Sequence, residues 1–194
     1  MPNWASTSYV FKGADEKQAQ DLYDKIDSLS KMKEPVEPNG FGLSWMGCLV
    51  NLLGGDIDKV YSRGEIIDYN LNGNLVSFDC ETAWDEMPEF RHFIEQQYPG
   101  SKIYYQVSEC GNCVYATNDL EGLYFPDRYC LDSYDGGIEY FETIEEVASY
   151  LSDIKKDLKP DFAEIEQAID DYMEEHNNDE KYWMSLHKFD VVDD

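Results

Sequence analysis

The chain has 194 residues and a mass of 22.5 kDa, the size of one ordinary domain or of a domain with a long extension. Its 41 Asp and Glu against 15 Lys and Arg leave a net charge of −26, which disfavours nucleic acid and anionic lipid as direct partners and favours basic proteins, polyamines and divalent cations. A hydrophobic fraction of 42%, with 15 Tyr, 9 Phe and 4 Trp, excludes a wholly disordered chain, which would combine this charge with few aromatics.

Residues 3–12 carry Thr7, Tyr9, Val10 and Phe11 and stop at Gly13, which predicts a strand. Asp15 with Gln18 three residues on forms a capping box for a helix over 16–31, whose apolar stripe is Ala19, Leu22, Tyr23, Ile26 and Leu29. Residues 32–40 read as a proline-bearing link, with disorder expected over 33–40 and in the last few residues of the chain, and residues 43–53 as a buried helix closed by Gly54-Gly55. Two β-rich runs, 65–71 and 74–82, are joined by Asn72-Gly73, a strong hairpin signal because both residues accept positive φ. A second helix is expected over 86–98, capped by Asp85, lined by Met87, Phe90, Phe93, Ile94 and Tyr98, and ended by Pro99-Gly100.

Residues 102–109 alternate as a half-buried strand and turn at Gly111-Asn112 into a partner over 113–117. A further hairpin pairs 122–131 with 137–141 around Asp135-Gly136-Gly137. Thr143 and Glu146 make a capping box opening a helix with Val147, Tyr150, Leu151 and Ile154 on its apolar face. After Pro160 comes an acidic helix over 161–175, striped by Phe162, Ile165, Ile169, Tyr172 and Met173, and then a short helix over 179–188.

The order through residue 109 is β-α-β-β-α-β, the split βαβ arrangement. The expected class is therefore α+β: a ferredoxin-like antiparallel sheet with helices on one face, extended by extra strands and C-terminal helices. The domain reading is 1–118 with an insertion at 32–64, then 119–194 as an acidic extension of a hairpin and helices packed on the same core. Met1-Pro2-Asn3-Trp4, the strand ending at Gly13, and Phe78-Asp79-Cys80-Glu81-Thr82-Ala83-Trp84 before a helix resemble the YubB-type plasmid and phage proteins over roughly residues 1–118. Ala5, Thr7 and Asp85-Glu86-Met87-Pro88 stand where that family usually has Cys, often Asn, and commonly a Pro pair. The resemblance implies a ferredoxin-like fold and a mobile-element origin, and brings no established activity or catalytic residues.

No run approaches 18 apolar residues, so no membrane span is expected. The opening residues have neither a basic nor an apolar signal-peptide region, and five cysteines, an odd number, fit reduced thiols; the expected location is the cytoplasm.

Cys110-Gly111-Asn112-Cys113 has zinc or redox spacing, but structural zinc needs four ligands and a redox pair normally opens a helix. Cys80 and Cys130 complete a set only if the fold brings them near, so the preferred reading is two turn-flanking thiols, with a metal-dependent module on Cys110 and Cys113 as an alternative. His92, His176 and His187 read as solvated side chains. Tyr104, Tyr105 and Tyr115 could stack single-stranded bases, but that module needs basic surroundings, so they read as packing. No phosphate loop, calcium loop, catalytic set or cofactor signature is present, and the oligomeric state is open.

The charge excess is uneven: residues 1–131 carry −11 and residues 132–194 carry −15. Asp161, Glu164, Glu166, Asp170, Asp171, Glu174 and Glu175 put seven carboxylates on fifteen residues, roughly one charge per 3 Å at a 1.5 Å rise, close to the ~3.4 Å spacing along one DNA strand. With Glu139, Glu142, Glu145 and Glu146 they form a candidate surface for a basic, nucleic-acid-handling protein, making the chain a non-enzymatic interaction protein acting as a decoy or antagonist. A solvated helix face, halophilic adaptation, and a ligand-binding ferredoxin-like domain with incidental charge are the alternatives.

Overall fold

The computed structural model describes residues 3–134 and 136–194. Met1, Pro2 and Asp135, the first two from the family-like opening and the last from the expected hairpin turn, lie outside the described residues. The fold is α+β and divides into two compact units: Met1–Leu120 with Val192–Asp194, and Glu121–Val191.

The first unit is built on β1 (Trp4–Lys12), β2 (Gly64–Asn72), β3 (Leu75–Ala83), β4 (Lys102–Glu109) and β5 (Val114–Thr117), in the spatial order β2-β3-β1-β4-β5. Each pairing of β1 with β3, β1 with β4, β2 with β3 and β4 with β5 is antiparallel. Alternation decides which face is packed: Ala5, Thr7, Tyr9 and Phe11 of β1, Val76, Phe78 and Cys80 of β3, and Ile103, Tyr105 and Val107 of β4 are buried. Against them lie α1 (Glu16–Ser30), α2 (Met46–Leu52) and α3 (Pro88–Gln97), contributing Leu22, Ile26, Leu49, Phe90 and Ile94 to one core.

Three local expectations shift. Asp15 caps α1, accepting from Gln18 N at 3.0 Å, but the Gln18 side chain accepts from Ala14 N at 2.9 Å rather than from Asp15 itself. The β2–β3 turn slides by one residue. Asn72 still pairs with Leu75, and Gly73 alone takes the left-handed φ of 60°, the first central position of a two-residue loop. Asn74 then ties that loop to the end of β1 through reciprocal bonds with Gly13 at 2.8 and 3.0 Å. The second helix starts at Pro88, not Glu86. Pro88 is suited to the first helical position, and it pushes Met87 (φ −106°, ψ 82°) out of helical space, so the Asp85 carboxylate only accepts from Glu86 N.

Residues 33–40, expected to be disordered, hold a defined turn. The Asn39 side chain accepts from Phe41 N and Gly42 N at 2.7 Å each and donates to the carbonyls of Glu37 and Gly42.

The second unit has a three-stranded antiparallel sheet of order β7-β6-β8: β6 (Tyr129–Ser133), β7 (Gly137–Phe141) and β8 (Met184–Lys188). With α4 (Ile144–Tyr150) and α5 (Phe162–Glu175) it closes a separate core of Leu131, Val147, Leu151, Ile165, Ile169 and Leu186. The capping box of Thr143 and Glu146 forms as expected. Two expectations fail. The strand forecast from residue 122 begins only at Tyr129, since Pro126 offers no amide hydrogen for a ladder. The forecast helix over 179–188 is a single 3-10 turn, Glu180–Tyr182, followed by β8. A lone short helix has little to bury, whereas β8 pairs its length with β6, Leu186 opposite Leu131. The chain then passes through β9 (Asp190–Val191) and re-enters the first unit at Val192, so the last residues, expected to be disordered, are held there, Asp194 by Arg91 and Asn118. Among the described residues no helix is long and apolar enough to cross a membrane.

Candidate functional site

The acidic surface of the second unit is built on α5. Asp161 caps its first turn, accepting from Glu164 N at 3.1 Å, and Ile165, Ala168 and Ile169 anchor the inner face. At 100° per residue, Glu164, Glu166, Asp170, Asp171, Glu174 and Glu175 fan across the whole outer half of the helix, and all six are exposed. Glu139 on β7 and Glu142, Glu145 and Glu146 around the start of α4 are exposed as well.

Their partners divide them. The Glu164 carboxylate pairs with Lys159 at 2.7 Å, and Asp171 accepts from the Gln167 side chain at 2.8 Å. Glu146 accepts from Glu142 N and Thr143 N at 2.9 and 3.2 Å, which is a local structural duty. Glu166, Asp170, Glu174 and Glu175 form no ion pair among the described residues. Glu174 and Glu175 also sit in the last turn of α5, where the negative end of the helix dipole opposes them and no basic residue stands.

Beside this face lies a cleft of about 470 Å³ that sequence reading missed. Its walls are aromatic: Tyr134 after β6, Tyr150 at the end of α4, Tyr172 of α5, and Tyr182 and Trp183 before β8, with Asp153 and Lys181 as charged lining. Tyr134, Tyr150 and Trp183 remain 58%, 51% and 44% exposed, and none of them belongs to the packed core. Lys181 Nζ stands 5.7 Å from the Tyr182 ring centroid and 3.4 Å from Asp179. Ile154 and Tyr172 also border a neighbouring depression holding Asp171 and Glu175; Met184 borders another holding Glu166 and Asp170. The aromatics were visible as letters, but they fall in four segments, after β6, on α4, on α5 and before β8, that only the folding of the whole unit brings together.

The other candidates resolve as follows. Cys110 and Cys113 are exposed on the β4–β5 turn, where Cys113 has a left-handed φ of 55°. The turn is held by the buried carboxylate of Glu109, which accepts from Gly111 N and Asn112 N at 2.7 and 2.8 Å. Cys80 is buried in the first core and Cys130 in the second unit. Among the described residues no group of three His, Cys, Asp or Glu could hold a metal ion.

His92 is exposed on α3, 3.3 Å from Glu95. The solvated reading fails for His176, which stacks on Tyr182 at 4.0 Å between centroids with Nδ1 2.8 Å from the Tyr172 carbonyl oxygen. It fails also for His187, half-buried on β8, where burial lowers its pKa while Asp132 opposes the shift. Tyr105 and Tyr115 are buried, as packing requires.

The strongest buried charge in the first unit went unpredicted. Arg91 of α3 is fully buried, donating to Glu86 at 3.1 Å and to Asp194 at 2.5 Å, with its guanidinium 5.1 Å from the Tyr105 ring centroid. Burial holds the Glu86 carboxyl above its ordinary value even though Arg91 opposes the shift. Asn118 binds Asp194 at 3.3 Å and the Ile103 carbonyl at 3.0 Å, fixing the far side. This cluster ties α3 to the returning chain.

No protein-family model matches the chain, and neither does any curated protein or solved structure compared with it.

Proposed function

We propose that the protein is a non-enzymatic interaction protein that binds a basic, nucleic-acid-handling partner through the acidic surface of its second unit. The observation that carries this is the set of Glu166, Asp170, Glu174 and Glu175. They are exposed, without an ion pair among the described residues, and in two cases placed against the helix dipole. Packing of α5 needs none of these four carboxylates, and solubility is served by a net charge of about 2–8 in magnitude for a small domain. Their fan along α5 spaces negative charge at intervals similar to phosphates, which suits a decoy for a phosphate-gripping surface.

The first unit serves as scaffold in this proposal, with a ferredoxin-like arrangement and a mobile-element origin. The strand order β2-β3-β1-β4 with antiparallel neighbours supports that arrangement; the short motifs at Asn3-Trp4 and Phe78–Ala83 support the origin. A cytoplasmic location follows from the same proposal, because the partner works on nucleic acid.

The test compares the wild-type chain with Glu166→Gln, Asp170→Asn, Glu174→Gln, Glu175→Gln as bait at low salt. Wild type should retain a basic protein that leaves as salt rises and that duplex DNA displaces; the neutralised bait should lose it. Equal retention by both baits rules the surface out.

Ligand binding by the first unit is a second reading. It is favoured by an apolar groove of about 530 Å³ bordered by Ile26, Leu29, Leu43, Ile66, Ile67 and Tyr69, where a bulge in β2 leaves Ile67 58% exposed. It would show as binding of an apolar dye to the folded chain that Ile67→Glu abolishes.

A further inference from the structure

We infer that the aromatic cleft of the second unit is a binding site for a cationic side chain, a guanidinium or an alkylated ammonium, presented by a basic polypeptide. The inference rests on the function proposed above and names the chemistry that the partner places at this unit. Ring faces carry negative charge density, and a cation within about 6 Å of a ring centroid is attracted to it, most strongly by Trp. Tyr134, Tyr150 and Trp183 come from three separate segments, stay about half exposed and lie outside the buried core; Tyr150 packs edge-on against Phe141 at 5.3 Å between centroids, while core packing does not account for Tyr134 and Trp183. At about 470 Å³ the cleft lies within the roughly 300–1,000 Å³ usual for ligand sites.

Two further observations select a cation. Lys181 already holds an ammonium 5.7 Å from the Tyr182 ring centroid on the cleft wall, so one of these rings is already used in this way. Carboxylates outnumber ammonium groups around the opening. Asp153 lines it with Lys181, Asp171 and Glu175 lie past Ile154 and Tyr172 with Lys155 beside them, and Glu166 and Asp170 lie past Met184. The unit Glu121–Val191 holds 20 acidic and six basic residues, so a cation gains from the surrounding field and an anion is repelled. The carboxylates draw in a basic chain and the rings receive one of its side chains.

The test follows the Trp indole and Tyr ring NMR signals of the full chain at constant ionic strength. The titrants are choline and its neutral isostere 3,3-dimethyl-1-butanol. Choline should shift Trp183, Tyr134 and Tyr150 saturably, leave Trp4, Trp45 and Trp84 unmoved, and bind more tightly than the alcohol. Trp183→Ala with Tyr150→Ala should abolish the response with an unchanged circular dichroism spectrum. Lys181→Gln removes the resident cation and should tighten choline binding by about 2- to 5-fold, one cation–π contact's worth. Equal shifts from the two titrants would make the cleft merely apolar and overturn the inference, as would no saturable shift.

A hexa-arginine peptide separates the two levels. Salt-sensitive peptide binding that the α5 neutralisation abolishes, with choline silent, sinks the cleft and leaves the acidic surface standing. Loss of peptide binding in the wild type sinks both.

Discussion

Arg91 shows how one residue can hold a unit together from the inside. Its guanidinium has no access to solvent, and Glu86 and Asp194 share it over the Tyr105 ring. Removing one partner of a buried pair leaves the other charge uncompensated, so Arg91→Leu should lower stability by about 3–5 kcal/mol in urea unfolding. Asp194→Asn should cost less, since Glu86 remains. His187 supplies the pH prediction. Its folded pKa is lowered by burial, so the stability from keeping it neutral is complete above the ordinary histidine value of about 6.5 and is lost as pH falls through the folded value. His187→Gln should flatten that part of the curve when urea midpoints are compared from neutral pH downward. Neither residue announced itself in sequence. Arg91 lies in a helix whose apolar stripe was legible, but its burial depends on a carboxylate 103 positions away.

Elements with local causes were legible and those with distant causes were not. α1 and the Thr143 box follow from capping chemistry, and α5 follows from its stripe and Asp161. The start of α3 was misplaced because Asp85 looked like a cap, although Pro88 three residues on sets the boundary by its own geometry. β8 was readable too: Met184, Leu186 and the polar Ser185 and His187 alternate, but Tyr182 and Trp183 in front mimic helical spacing. The aromatic cleft was not readable, because its rings converge only once β6 pairs with β8 and α4 and α5 pack in the same unit. α5 carries a prediction of its own. Glu174→Gln and Glu175→Gln each remove a charge from the unfavourable end of the dipole and should raise stability by about 0.3–1 kcal/mol at low ionic strength, with the gain shrinking as salt is added. A thermal scan of both variants at two salt concentrations checks this. A gain in stability with a loss of partner binding would mark those carboxylates as functional at structural expense.

At the scale of the whole molecule the charge of −26 is a destabilising self-repulsion that salt screens. Raising NaCl from about 0.01 M to about 0.5 M shortens the screening length from roughly 30 Å to under 8 Å, so the unfolding temperature should rise. The same range of salt should weaken binding to a basic partner. These opposite responses separate a charge that serves recognition from a protein built for high salt, whose interactions would persist there.

The return of Val192–Asp194 to the first unit has a consequence for biosynthesis. A nascent chain that has emerged only to Leu120 already presents Arg91 and Glu86 but lacks Asp194, because the 71 residues of the second unit come between the two parts of the first. The first-made half is therefore the last to be finished: its guanidinium waits with a single counter-charge until the ribosome has produced everything between, and a pause within that stretch would lengthen the interval in which the early part is most open to proteases.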